Sequence, residues 1–174
     1  MRKLLVLGAG ALMLSGCAGG GTSAPSAPVA AAASPAILTA VAFVDVAGSA
    51  ALYAVEAAKL AQGRSRDPQV RALAALQGAN GEGIGGQLSY AGRRVNALPD
   101  NVMTPQHEAM LEALRTASDF DATYVAQQQE LVPVMRLFHQ DYAVRGGSAT
   151  LRPVAEFSAE KLAEQLRALD ALKD

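Results

Sequence analysis

Three scarcities frame this chain of 174 residues: one cysteine, two histidines and no tryptophan. A single thiol rules out an intramolecular disulfide and the paired-cysteine spacings of zinc sites. Aromatic residues make up only 5% although hydrophobic residues reach 51%, and alanine supplies much of the difference. Alanine loses no side-chain entropy in a helix, so a core of Ala, Leu and Val reads as helical. No stretch shows the sustained alternation of a strand. Neither sign of charge dominates, with 15 Lys and Arg against 16 Asp and Glu. No basic stripe is left to follow a phosphate backbone, so no nucleic-acid partner is expected. The groups Arg64/Arg66/Arg71 and Arg93/Arg94 read as solvated helix ends. The length suits one domain and is short for two.

Met1-Arg2-Lys3 is a short basic start, and residues 4–14 form an apolar run interrupted only by small residues. A helix that spans a bilayer needs about 20 apolar residues, so this run reads as a signal peptide. Leu14-Ser15-Gly16-Cys17 follows at once and resembles the lipobox of bacterial lipoproteins. Small residues let a peptidase grip the extended backbone, and the thiol is the side chain a lipid donor alkylates readily. Ordinary secretory cleavage with a buried free thiol is the alternative; the only cysteine standing at the motif's required position favours lipidation. The resemblance implies a diacylglycerol thioether on Cys17 and a further acyl chain, such as palmitate, on its amine. Several chains matter because each buried methylene adds about 0.8 kcal/mol and one chain anchors only marginally. Ala18 stands where an aspartate would mark inner-membrane retention, which implies the outer membrane, facing the periplasm. Loss of Arg2 and Lys3 with the leader takes the 15 basic residues to 13 against 16 acidic, a net charge of −3.

Residues 18–34 are Gly, Ala, Ser, Thr, Pro and one Val, without a charge. They cannot bury enough apolar surface to order themselves and are expected to act as a flexible tether. The organisation expected is therefore a signal peptide over 1–16, a tether over 17–34 and a helical domain over 35–174.

In that domain Ser34-Pro35 is the expected start of a first helix running to about Gln62. Its apolar stripe is read as Ile37, Val41, Val44, Gly48, Ala51/Leu52 and Val55. Asp67-Pro68 opens a second helix with Val70, Leu73, Gln77, Asn80, Ile84, Leu88, Ala91 and Val95 on one face. Leu98-Pro99-Asp100-Asn101 is a loop, and Thr104-Pro105 starts a short third helix through His107, Leu111 and Leu114. Ser118 to Asp121 has the spacing of a capping box for a fourth, which carries Pro133 and stops at Gly146-Gly147. Pro133 is expected to kink it. A fifth carries Leu151, Val154/Ala155, Leu162, Leu166, Leu169 and Leu172. Four long amphipathic helices with short connections predict an all-α, antiparallel four-helix bundle with one short extra helix.

Gly81-Glu82-Gly83-Ile84-Gly85-Gly86 matches the dinucleotide pattern G-x-G-x-x-G, but the pattern needs a preceding strand, and residues 70–76 read as helix. A glycine-rich helix that admits a close neighbour, or that unwinds, is the reading preferred. Di-iron bundles need inward Glu and Glu-x-x-His pairs, and no Glu-x-x-His occurs. His107 and His139 are candidate ligands; surface or half-buried histidines are the plainer expectation. No catalytic constellation, metal site or cofactor is assembled by the spacing. Gln77, Asn80, Gln127, Gln128 and Gln165 break the apolar stripes and mark a candidate polar centre, read first as a structural layer and second as a small-ligand pocket.

The order Phe43-Val44, Val70-Arg71-x-Leu73-Ala74, Leu98-Pro99, His107-x-x-x-Leu111-x-x-Leu114, Phe120-Asp121-x-x-Tyr124 and Leu151-Arg152 resembles a bacterial envelope family of ferritin-like bundles, a domain of unknown function. The resemblance covers roughly residues 35–172 and implies a ferritin-like up-and-down bundle. Where that family carries further polar residues and histidines, this chain has Ala54, Ala79-Asn80, Val132 and Gln165; only His107 is kept. The resemblance thus transfers neither a metal site nor an activity. The function expected is that of a lipid-anchored, non-enzymatic envelope protein that binds a protein partner or stabilises the envelope. The alternative is a ligand- or metal-binding bundle with a degenerate polar centre.

Overall fold

The computed structural model describes residues 37–172. The leader, Cys17, the tether and the Ser34-Pro35 helix start lie outside the described residues. Five α-helices follow one another: α1 (Ala40–Arg64), α2 (Pro68–Gly92), α3 (Pro105–Thr116), α4 (Phe120–Arg145) and α5 (Arg152–Asp170). A single 3-10 turn, Arg93–Val95, extends α2. The described residues contain no strand and form an all-helical fold.

The helix ends follow from capping chemistry, with two corrections to the expected starts. Thr39, in extended backbone, accepts the Ala42 amide at 3.2 Å and fixes the start of α1 at Ala40, five residues beyond Pro35. Asp119 rather than Ser118 caps α4, its carboxylate accepting the Ala122 amide at 3.1 Å. Asp67 and Thr104 cap α2 and α3 as their sequences predict, each followed by proline in the first turn. The first four amides of a helix have no internal partner, and these side chains supply one. Arg64 is not merely a solvated end. Its guanidinium donates to the carbonyls of Arg115 at 2.9 Å and Ala117 at 2.7 Å, closing α3, and lies 5.0 Å from the Phe120 ring centroid. A cation at the carboxyl end of a helix satisfies its last carbonyls and complements its dipole.

Packing corrects the stripe expected on α1. Val44 and Ala51 are buried as expected, but Ile37 and Val41 are exposed, and the buried face also carries Phe43, Ala47, Ala50, Tyr53, Ala57 and Ala61. Alanine admits a neighbouring backbone where valine would hold it off. By length and composition α1 could cross a membrane, but this alanine face is packed into the interior. α1 packs most extensively on α2 and α4 on α5; α2 also meets α5, and α1 meets α3 and α4. At Gly81 a Cβ would lie 2.9 Å from the Ala51 carbonyl oxygen, so glycine lets α2 approach α1 there. Residues 81–86 neither unwind nor follow a strand; they lie within one unbroken helix. α4 likewise continues as helix through Pro133.

The core divides into two clusters. One gathers Tyr53, Ala57, Leu73, Leu111, Leu114, Phe120, Tyr124 and Leu169. The other gathers Phe43, Ala47, Ile84, Leu88, Tyr142, Leu151 and Ala155. The first is threaded by polar side chains and the second is nearly dry.

Candidate functional site

In the first cluster α1, α2, α3 and α4 are tied by a chain of hydrogen bonds whose direction is set at one end. The Met110 carbonyl can only accept, so Gln127 donates Nε2 to it at 3.0 Å and turns Oε1 toward α1. There Gln127 accepts the Tyr53 hydroxyl at 2.6 Å. The Tyr53 oxygen, its proton given, accepts from Gln128 Nε2 at 3.2 Å. Gln128 Oε1 accepts from Gln77 Nε2 at 3.0 Å. Gln77 Oε1 accepts the Tyr124 hydroxyl. Each amide is thereby oriented by its neighbour. Burial raises the phenols of Tyr53 and Tyr124 well above the ordinary tyrosine value, so both remain donors. Gln77 and Gln128 are buried, and the partners they find here offset the cost of taking amides out of water.

His107 borders this chain, its ring stacked on Tyr53 with centroids 5.6 Å apart. Its Nδ1 lies 2.6 Å from Ser49 Oγ and 3.1 Å from Thr104 Oγ1. Ser49 Oγ in turn accepts the Thr104 amide at 2.8 Å. Either neutral tautomer is satisfied here, since a protonated Nδ1 donates to Ser49 and a bare one accepts its hydroxyl. Burial lowers the pKa of His107. The cluster locks the start of α3 to the middle of α1. It pairs a serine with a histidine, and that serine is 1% exposed.

The second histidine has no such partners. His139 is 2% exposed, with Phe43 and Phe138 edge-on at 5.3 and 5.6 Å. Its Nδ1 is buried and finds no hydrogen-bond partner among the described residues. Burial pushes its pKa down to about 4. Phe43 also stacks on Tyr142 at 3.8 Å and Phe138 at 5.5 Å, so the imidazole is set in an aromatic cluster.

Where the two clusters meet lies a cavity of about 30 Å³, lined by Tyr53, Gln128, Met135, His139 and Gln165 among small and aliphatic residues. A space of roughly 10–15 Å³ by the same measure holds one water. Only Ala51 and Gly81 are shared between its wall and an outer groove of about 170 Å³ between α1 and α2.

The expected polar centre is therefore split. Gln77, Gln127 and Gln128 join through tyrosines, Gln128 and Gln165 line the cavity, and Asn80 stands apart, donating to the Lys161 carbonyl at 3.2 Å. Both histidines are buried, which corrects the surface or half-buried placement expected. The signal was available: His107 precedes Leu111 and Leu114 by four and seven residues, and His139 lies between Met135 and Tyr142 at helical spacing. Tyr53, Ser49 and Thr104 were missed as members of the site. Tyrosine passes as apolar in a periodicity count, and two hydroxyls 55 residues apart carry no local pattern. Among the described residues no group of three or more His, Cys, Asp or Glu side chains is placed to hold a metal ion.

These features define an all-helical protein with an internal amide–phenol chain and a water-sized central cavity. The chain belongs to the family described as a domain of unknown function, DUF4142, which matches residues 24–172. No curated protein and no solved structure gave a match.

Proposed function

We propose that this protein is a lipid-anchored component of the bacterial cell envelope that acts without catalysis, binding a protein partner or stabilising the envelope through its helical surfaces. The observation that carries the reading is Leu14-Ser15-Gly16-Cys17, directly after an apolar run and before an uncharged linker. Ala18 favours the outer membrane, facing the periplasm. The pairwise packing of α1 on α2, α2 on α5, α5 on α4 and α4 on α1 supports a ferritin-like, up-and-down four-helix bundle, with α3 as the short extra helix. The interior supports a non-enzymatic role: its amides and phenols bond to one another, and its serine–histidine pair is closed to solvent.

Replacement of Cys17 by serine should stop incorporation of labelled fatty acid and release the protein from membranes; continued labelling would sink the anchor. Cross-linking in intact envelopes should return the same protein partner in repeated pull-downs, and their failure to do so would remove partner binding.

A second reading, a bundle that binds a small ligand or metal ion at its centre, is favoured by the cavity and by the unpartnered imidazole in its wall.

A further inference from the structure

We infer that the central cavity binds a singly charged soft cation of the copper(I) type, held by the imidazole of His139 and the thioether of Met135 with the Gln165 amide alongside. The inference rests on the second reading above and is independent of the lipid anchor. Met135 and His139 are four residues apart on α4, the spacing that places two side chains on one face of a helix. Both are buried, at 6% and 2% exposure, and both line the same cavity.

The other polar walls are already engaged. Tyr53 and Gln128 are held by the hydrogen-bond chain, which leaves His139 without a partner and the Gln165 amide beside it. A buried polar group with no partner is costly, and in a native core it calls for an explanation. A ligand in the cavity supplies one.

The chemistry of the lining selects the ligand. No carboxylate and no thiolate lines the cavity. A divalent ion would keep its whole charge in the interior, and the cost of burying an ion rises with the square of its charge. Calcium and magnesium also require six or more oxygen ligands, which this wall does not offer. Imidazole and thioether are the neutral, soft donors that copper(I) accepts, and copper(I) tolerates few ligands. A cavity of about 30 Å³, room for about two or three waters, has space for one such ion. Between the cavity and the outer groove stand Ala51 and Gly81, where α1 and α2 are in backbone contact.

The test is anaerobic titration of the full chain with copper(I) against a chromophoric copper(I) chelator, in a Cys17→Ser background so that the single thiol cannot compete. About one equivalent should be retained. Met135→Leu, which keeps the volume and removes the sulfur, should weaken retention about tenfold or more. His139→Leu should abolish it, and Met103→Leu should leave it unchanged. Silver(I), which has the same ligand preferences and no redox cycle, should raise the melting temperature of the parent chain and not that of Met135→Leu. Retention equally strong in Met135→Leu and His139→Leu overturns this site but keeps a metal-binding protein. Failure of the parent chain to retain copper(I), with no melting shift from silver(I), overturns both the site and the ligand-binding reading.

Discussion

The two halves of the core treat polarity in opposite ways. Around Tyr53 and Tyr124 five hydrogen bonds run in one direction from the Tyr124 hydroxyl to the Met110 carbonyl. Around Phe43 the packing is aromatic, and the one imidazole within it, His139, has a nitrogen that meets no partner. In the first half a polar side chain is an element of structure, because each is oriented and satisfied by the next. In the second, polar atoms are few and stand alone: the His139 Nδ1 and the Tyr142 hydroxyl are both buried without a partner among the described residues, and of the two residues only His139 lines the cavity, so it is the one to examine for function. His107 and His139 make the same point as a pair: both are buried, but only His107 is enclosed by hydroxyls.

Breaking the chain at its centre should give the largest effect. Gln128→Leu leaves the Gln77 Nε2 donor and one acceptor site of the Tyr53 oxygen without partners in the interior, while Tyr53 keeps its bond to Gln127. At roughly 1–3 kcal/mol for each orphaned group, the loss should be about 4 kcal/mol by urea unfolding. A loss below about 1 kcal/mol would mean that water replaces the amide, and the half would not be the closed network it is taken to be. Tyr124→Phe tests the end of the same chain. It orphans only Gln77 Oε1, so about 1 kcal/mol is expected. Equal costs at centre and end would break the argument that the bonds form one chain.

The dry half is tested by pH. The folded pKa of His139 is about 4, below the value near 6.5 of an unfolded chain. Stability from the neutral imidazole is therefore fully present above about pH 6.5, falls as pH drops, and is lost by about pH 4. The interval corresponds to about 3 kcal/mol for this residue, and His107, lowered in the same direction, adds to the acid sensitivity. In His139→Leu the His139 share disappears, so the stability difference between the two proteins should shift by about 3 kcal/mol from pH 7 to pH 4. A difference that stays constant would show that this imidazole is not held neutral in the core.

Much of this arrangement was legible in local sequence, and the part that was not is long-range. Asp67-Pro68 and Thr104-Pro105 announce their helices because a cap acts over two or three residues. Gln77 and Gln128 are legible because an amide on an apolar stripe must find a partner. Which partner it finds depends on which helix faces which, and Tyr53 lies 75 residues from Gln128. Gln127 and Gln128 point apart on α4, and only a tyrosine hydroxyl arriving between them makes both part of one chain. The α1 stripe was misread for a related reason: apolar size was weighed where close approach was needed, so Val41 was placed inward although Ala47 and Ala50 are what the core accepts.

The smallest effect is expected where the halves meet, along the glycines of α2. Gly81 faces the Ala51 carbonyl oxygen and the side chains of Val55 and Ala54, whereas a Cβ at Gly83 would meet nothing within 4 Å. Both positions are helical, so alanine at either should gain up to about 1 kcal/mol from reduced backbone freedom. Gly83→Ala should show that gain in full as a higher urea midpoint. Gly81→Ala should lose it, because its methyl group must push α1 from α2 beside the cavity. The two substitutions add the same atoms to the same helix less than one turn apart, so any difference between them is packing alone. Equal stabilisation by both would mean that α1 and α2 are not in close contact at Gly81, and the thin wall between the outer groove and the cavity would go with it.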